Sequence, residues 1–314
     1  MKSENITLIA GGVGGAKLAE GLDAIESINL SIIGNIADDD TFHGLWVSPD
    51  IDTLTYSLAK VINREYGWGL SDETFNSLST LSKLNEATWM TLGDKDFGLH
   101  IYRTMRRNSG SRPSDIAKDI SKAFGIKSNI ILPTDDIVQT RLLTSIGWLN
   151  FQEYFVKEKC KPQISEIKFE GIEKALPTKE CIESLQNADL IILAPSNPLV
   201  SLNPIIQLPG IRETLIRANA PKIGISPFIG NKTIKGPANK MMEELGKRPN
   251  AIGFAEIFSD IIDLYFIDKS DKNLEEDIQK MIKNTIFTDI LMKNQEDKLN
   301  LALLILEASE KLKR

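Results

Sequence analysis

At the start of the chain, apolar runs that stop at glycine alternate with apolar residues spaced three and four apart, and this rhythm predicts a β-α-β unit. Ile6 to Ala10 is a short apolar run, broken only by Thr7 and closed by glycines, as expected of a strand buried on both faces. Between Ala16 and Ile25, Leu18, Leu22 and Ile25 recur at helical intervals. Asn29 to Gly34 supplies a second apolar strand, so the two strands are predicted to lie parallel with a right-handed crossover. Ligands in open α/β sheets bind beyond the carboxyl ends of the strands. The loop Gly11-Gly12-Val13-Gly14-Gly15 and the run Asn35 to Asp40 therefore fall on one rim.

Ser48-Pro49 reads as a helix start, serine at the N-cap and proline at the first helical position, with Leu54, Leu58, Val61 and Ile62 as the buried stripe. Further helices are predicted from Asp72 to Leu84, Phe97 to Arg107 and Pro113 to Phe124, a mostly helical excursion over about residues 60–125. A strand follows at Ser128 to Leu132. Alternation in Val138 to Thr144 and Leu149 to Val156 predicts a small antiparallel patch. The buried sheet resumes at Asp189 to Ala194 and Pro221 to Ile225, both ending on the ligand rim at Pro195-Ser196-Asn197-Pro198 and Ser226-Pro227. Asn294 to Lys313 reads as a closing amphipathic helix. The fold class is therefore α/β: a Rossmann-like parallel sheet with helices on both faces, a helical insertion and an antiparallel patch, taken as one unit over residues 1–314.

Composition narrows the function more than the fold. A net charge of −6 argues against sequence-independent nucleic-acid binding, which needs a basic surface. Cys160 and Cys181 stand outside any CxxC or Cys/His pattern, so neither a zinc site nor a disulfide framework is expected. The start runs from Met1 straight into a short strand, without the pattern of a signal peptide, and no stretch is long and apolar enough for a membrane helix. The cytoplasm is the expected compartment.

The chemistry lies in the pairing of the glycine loop with clustered aspartates at Asp38-Asp39-Asp40, Asp50/Asp52, Asp94/Asp96 and Asp135-Asp136. Glycines at a strand-to-helix turn let backbone N–H groups approach a phosphate, and carboxylates can hold the Mg²⁺ that neutralises it. The loop fits neither GxGxxG, since Lys17 stands at the third glycine, nor the P-loop pattern, and a packing role is the competing reading. Three adjacent acids at a strand end repel one another, which a divalent cation would resolve; a solvated loop is the alternative. Asp50 and Asp52 fall in a first helical turn, where acids oppose the helix dipole without any function. Two residues apart on a helix, they are not expected to meet one ligand, and Asp50 fits the dipole role better. Asp94 and Asp96 flank Lys95 and can be a self-neutralised turn; Asp135-Asp136 reads as a turn. His43 and His100 lack a partner at metal-ligand spacing and read as structural. Trp68, between two glycines, suits stacking on a flat ring or anchoring a core. Ser196-Asn197 can offer donors to a phosphate or base, or cap a helix.

Together these residues resemble a known family. GGVGGAK at 11–17, NIADDDTFHGL at 35–45, SPDIDTLTY at 48–56, WGL at 68–70, TLGDKDFGLHIYR at 91–103, PTDD at 133–136, FQEYFV at 151–156, APSNPLVSLNPII at 194–206, LPGIRE at 208–213 and ISPFIGN at 225–231 are similar to segments of the 2-phospho-L-lactate transferases, the CofD-like proteins of coenzyme F-420 biosynthesis. The resemblance implies a homodimeric enzyme. It would move a phospholactyl or phosphoenolpyruvyl group from a guanosine diphospho donor to the ribityl hydroxyl of 8-hydroxy-5-deazariboflavin (Fo), releasing GMP. By motif position it implies Asp52 and Thr91 at the deazaflavin and Asp39, Asp52 and Asp38 near Mg²⁺. Lys95 stands where the family often has arginine, which keeps the charge but loses a bidentate fork.

In-line attack on phosphorus asks chiefly for positioning and charge neutralisation. On that basis Gly12, Gly14 and Lys17 are assigned to the donor diphosphate, Asp39 to the metal, Asp52 to the acceptor hydroxyl as orienter or base, and Asn197 to the guanosine part, with Ser196 and Lys95 as further substrate-binding residues. Asp52→Ala is expected to abolish turnover and leave the fold intact. The rival readings are a CofD-like regulatory protein that binds a nucleotide sugar without turnover and, more remotely, an NAD(P)-linked oxidoreductase.

Overall fold

The computed structural model describes residues 3–230, 232–233 and 236–312; Asn231, the end of the ISPFIGN segment, and Lys313 lie outside them. In chain order the first half comprises β1 (Glu4–Ala10), α1 (Gly12–Asp23), β2 (Ile28–Gly34), β3 (Asp40–Phe42), β4 (Leu45–Val47), α2 (Pro49–Leu58), α3 (Asn76–Lys83), α4 (Asp94–Asn108), α5 (Pro113–Ala123), β5 (Asn129–Ile131), β6 (Gln139–Thr144), β7 (Gly147–Asn150) and β8 (Ile164–Glu170). There follow α6 (Lys179–Gln186), β9 (Leu190–Leu193), α7 (Asn203–Ile206), α8 (Ile211–Arg217), β10 (Lys222–Ile225), β11 (Phe228–Ile229), β12 (Lys232–Thr233), α9 (Ala238–Glu244), α10 (Ala251–Phe258), β13 (Leu264–Asp268), α11 (Glu275–Gln279), β14 (Asn284–Thr288) and α12 (Gln295–Leu312).

Seven strands form a parallel sheet in the order β14-β13-β10-β9-β1-β2-β5. Its continuous apolar strands feed two cores. Ile9, Ile33, Ile191 and Leu193 point to one face, with Phe254 and Phe258, while Leu8, Ile32, Leu190 and Ile192 point to the other, with Leu18 and Leu22 of α1 and Ile305 of α12. The predicted β-α-β start, parallel sheet and closing helix are all present. From β1 the chain moves outward to β2 and β5, then returns to β9 on the other side of β1. Strand order therefore reverses between β1 and β9, and a ligand crevice is expected beyond their carboxyl ends.

The antiparallel patch is real but differs in outline. It has three strands, β7-β6-β8, and only the first part of Leu149 to Val156 is strand. Glu153–Lys157 is a single π-helical turn with Tyr154 fully buried, because Phe151 and Tyr154, three apart, both turn into the core instead of alternating across a sheet. The β13-β14 end of the sheet and the β3-β4 hairpin had no sequence prediction.

Candidate active site

Where strand order reverses, a cavity of about 680 Å³ opens between the glycine loop after β1, the start of α2, the loop after β9 and the aromatic residues around positions 66–68 and 151–156. Its base is the glycine loop. Gly11 is the N-cap of α1 without a side-chain cap, Gly12 has φ +63°, and the first turn of α1 carries no acid. This helix start lies at the cavity base, its Gly11 N–H bonded to Ser196 and its Gly12 N–H to Asp50. Gly14 is fixed by close approach, since a Cβ there would sit 2.2 Å from the carbonyl oxygen of Pro195. Ser196 holds the two sides together: its hydroxyl donates to the Gly11 carbonyl at 2.7 Å and accepts from the Gly11 N–H at 3.2 Å. Close packing, one of the two readings from sequence, holds at Gly14.

The aspartate triplet does not converge on one ligand. Consecutive residues leaving a strand fan outward, and each acid goes its own way. Asp40 turns to the antiparallel patch, accepting from Asn150 Nδ2 and from Gln139 Nε2 at 3.2 Å. Asp39 accepts from Ser48 Oγ at 2.6 Å and Trp46 Nε1 at 3.1 Å through one oxygen, and it stands outside the cavity wall. Ser48 is the residue before α2, yet its hydroxyl serves Asp39 and makes no cap bond. Asp38 alone of the three lines the cavity.

Asp38 meets Asp50 there. Burial raises the Asp38 carboxyl well above its ordinary range, and the neighbouring Asp50 and then Asp39 raise it further. Burial likewise pushes Asp50 up to about 6, against lowering hydrogen bonds from Asn35 and the Gly12 N–H. Asn35, fully buried at the end of β2, donates to Asp50 Oδ2 at 2.9 Å and to the Val200 carbonyl at 3.2 Å, tying α2 to the segment after β9.

Asp50 and Asp52 both line the cavity, contrary to expectation. At about 100° per residue they flank the stripe Pro49, Thr53 and Tyr56, which all face inward, so each occupies one margin of the same face. Asp52 is committed: Arg103 Nη2 bonds one of its oxygens and Arg103 Nη1 the other at 3.2 Å, with both side chains buried. Burial opposes the Arg103 charge, but Asp52 outweighs it and the guanidinium is held more firmly protonated than usual. Arg103 Nη1 also donates to His100 Nδ1 at 3.0 Å. Burial drives His100 down to about 4, so the ring is neutral at pH 7 and its proton resides on Nε2. Beside this pair Tyr56 donates to Asp96 Oδ1 at 2.8 Å, and burial pushes Asp96 up to about 6.

Several assignments need correction. Asp39 and Asp52 do not join Asp38 in a metal set: Asp52 pairs with Arg103, and the acid facing Asp38 is Asp50. Among the described residues no three His, Cys, Asp or Glu side chains are grouped to hold a metal ion. Lys95 is exposed, outside the cavity, its Nζ donating to the Ser71 carbonyl at 2.8 Å, because the first turn of α4 presents it to the outer face. Asp94 ties the start of α3, accepting from the Asn76 and Ser77 N–H groups at 3.0 and 2.9 Å. Asp135 and Asp136 accept from the Ser114 and Leu176 N–H groups, both at 2.8 Å and 21 and 40 positions away, so they tie the start of α5 and the segment after β8 to this turn. Thr91, Gly12, Gly14, Lys17, Ser196 and Asn197 do line the cavity. Lys17 Nζ donates to the Met292 carbonyl at 2.8 Å. Asn197 caps with its oxygen, accepting from the Leu199 N–H at 2.9 Å, while its Nδ2 has only the Met241 sulfur at 3.9 Å.

The mouth is aromatic. Tyr66 and Trp68 stack at 5.7 Å, about half exposed each, and Phe151 and Phe155 stack at 5.6 Å with planes 7° apart. Half exposed at the mouth, Trp68 does not anchor a core. Arg103, Asn35 and the Phe151–Phe155 pair had no functional assignment from sequence. Nothing in the spacing of Asp52 and Arg103, on different helices, links them.

Residues 6–302 match the family model described as 2-phospho-L-lactate transferase CofD. A 2-phospho-L-lactate transferase of Methanocaldococcus jannaschii is 34% identical over 96% of this chain and 97% of its own length. One of Methanopyrus kandleri is 34% identical over 98% of each. A phosphoenolpyruvate transferase of Streptomyces griseus is 34% identical over 87% of this chain and 88% of its own. The crystal structure of a UPF0052 family protein from Bacillus halodurans superposes with a TM-score of 0.63 at 16% identity, covering 98% of this chain and 99% of that one. This likeness concerns the fold.

Proposed function

The chain belongs to the 2-phospho-L-lactate transferase CofD family and is a transferase, and from that premise we propose the reaction: transfer of a phospholactyl or phosphoenolpyruvyl group from a guanosine diphospho donor to the ribityl hydroxyl of Fo, with release of GMP. The observation that carries this reading is the juxtaposition, in one cavity, of a glycine-rich helix start with no acid in its first turn, the Asp38–Asp50 carboxyl pair and stacked aromatic rings at the mouth. A diphosphate, a cation to neutralise it and a flat tricyclic acceptor match these three parts.

Mg²⁺ fits the donor set. Asp38 Oδ1 is buried without a hydrogen-bond partner, and Asp38 and Asp50 repel one another. Mg²⁺ commonly takes one or two carboxylates and completes its shell with phosphate oxygens and water. Asp38 and Asp50 would hold it, and it would neutralise charge on the diphosphate. The chain supplies the rest. Gly12 and Gly14 bring backbone N–H groups to the donor, Lys17 adds a cation, and Asn197 Nδ2 offers a donor to the guanine side. Asp52, clamped by Arg103, is a fixed acceptor for the ribityl hydroxyl, so the nucleophile is oriented before attack. Trp68 and Phe155 hold the deazaflavin ring. A homodimer working in the cytoplasm, on small-molecule substrates and without nucleic acid or membrane, completes the proposal; no described helix is long and apolar enough to cross a membrane.

Relatives named for lactate and for enolpyruvate donors are equally identical to this chain, and the two three-carbon groups differ by little binding energy, about 1–3 kcal/mol. The test is incubation with Fo, Mg²⁺ and each guanosine donor, followed by mass analysis. The expected products are the phosphodiester and GMP. Saturable nucleotide binding with no product from any donor would replace this reading with that of a regulatory binder.

A further inference from the structure

A second cavity, of about 540 Å³, opens at the far end of α4, between its last turn, the start of α5 and the turn after β8. Arg107, Ser111, Asp135, Asp136 and Lys174 supply its polar wall, and Pro113, Ile137 and Ala175 its apolar one. Arg107 is half-buried and rests on the Trp46 ring, 4.0 Å from the centroid. Among the described residues neither Arg107 nor Lys174 makes a side-chain hydrogen bond or ion pair. Of the wall acids, Asp135 is spent on Arg112 and on Ser114, whose N–H and hydroxyl it accepts at 2.8 and 2.7 Å. Asp136 uses Oδ2 for the Leu176 N–H at 2.8 Å and leaves Oδ1 open. Ser111 Oγ accepts from Arg106 Nε at 3.1 Å, which leaves its hydroxyl proton to give.

The open groups are thus two cations, one hydroxyl donor and one carboxylate acceptor. Two cations alone would suit any oxyanion. A carboxylate beside them suits only an oxyanion that still carries a proton, because an unprotonated one is repelled by it. We propose that this groove binds a phosphate or phosphomonoester through Arg107, Lys174 and Ser111, with a P–OH donating to Asp136 Oδ1. Inorganic phosphate keeps such a proton throughout the neutral range, a monoester with a second pKa near 6 keeps it as the monoanion that Asp136 would select, and sulfate has none. The organic part of a monoester would lie on Pro113, Ile137 and Ala175. Occupancy also has a built-in reporter, since Arg107 covers Trp46.

The experiment titrates the full-length protein with inorganic phosphate, glycerol 3-phosphate and sulfate, by calorimetry and Trp fluorescence. Lys174 and Asp136 lie outside the main cavity wall, so their variants separate this site from phosphate binding at the glycine loop. Lys174→Gln is expected to weaken one class of phosphate site by about tenfold and Lys174→Arg to preserve it. Asp136→Asn, whose oxygen can still accept from Leu176, should admit sulfate nearly as well as phosphate. Tighter binding of glycerol 3-phosphate than of phosphate would identify a monoester as ligand, and equal binding the free ion. Unaltered phosphate binding in Lys174→Gln, equal loss in Lys174→Arg, or undiminished preference for phosphate over sulfate in Asp136→Asn would each overturn the assignment.

Discussion

Asp39→Asn should stabilise the ligand-free protein at pH 8 and do nothing at pH 5. Burial pushes the Asp39 carboxyl from 3.8 up to about 7. A group whose folded pKa is raised holds its proton in the folded state while the unfolded chain has lost it, so its contribution is complete below about pH 4 and disappears as pH rises to about 7. Three units at about 1.4 kcal/mol each put the charge penalty at pH 8 near 4 kcal/mol, as an upper bound. Asparagine keeps the acceptor that Ser48 and Trp46 use. Its Nδ2 then takes the place of the unpartnered Oδ1, and an unsatisfied buried donor costs about 1–3 kcal/mol. The difference leaves a net gain of about 1–3 kcal/mol. At pH 5 the penalty has fallen to about 1.7 kcal/mol, because the unfolded carboxyl titrates near 3.8, and the cost of the unsatisfied amide donor offsets it, so the gain vanishes. Urea unfolding of both proteins at pH 5 and pH 8, without ligands and with equal m-values, reads this directly. A variant no more stable than the parent at pH 8, or stabilised equally at both pH values, would refute the reasoning.

Arg103→Met leaves Asp52 buried without its cation and should cost about 3–5 kcal/mol, while the double variant with Asp52→Asn should recover part of the loss; additive urea midpoints would show that the pair is not coupled. For the same reason Asp52→Ala, expected from sequence to spare the fold, should lower stability by exposing the need of Arg103 for a partner. Gly14→Ala places a Cβ 2.2 Å from the Pro195 carbonyl and should destabilise by about 1–3 kcal/mol or more, with donor binding weakened; a thermal midpoint equal to the parent's would contradict the close packing. Trp68→Ala should raise KM for Fo by several-fold to about tenfold with kcat near that of the parent, as removal of uniform binding does. A fall in kcat at constant KM would place Trp68 in the chemistry instead.

Much of the fold was legible along the chain because strands buried on both faces must be apolar throughout and helices must be apolar every third or fourth residue. Ile6 to Ala10, Asn29 to Gly34 and Asp189 to Ala194 announced the sheet, and the glycines at 11–15 and the Ser196-Asn197 turn could be placed on its ligand rim before any coordinates. Local signals placed Asp135 and Asp136 in a turn, but their partners Arg112, Ser114 and Leu176 lie 21 to 40 positions away and were not legible. Leu149 to Val156 failed because alternation over a few residues does not separate a strand from a short aromatic-rich helical turn.

The roles of the acids were decided only in three dimensions. A carboxylate's partner is set by which side chains the topology brings within about 3 Å, and those lie far off in sequence. Asp52 meets Arg103, Asp40 meets Asn150, and Asp50, dismissed as a dipole residue, meets Asp38 across the end of β2. Sequence spacing fixes a side chain's direction on its own helix or strand; which charges face one another depends on where that element docks, and docking is governed by buried apolar area summed over many residues, which carries no mark at the acid itself.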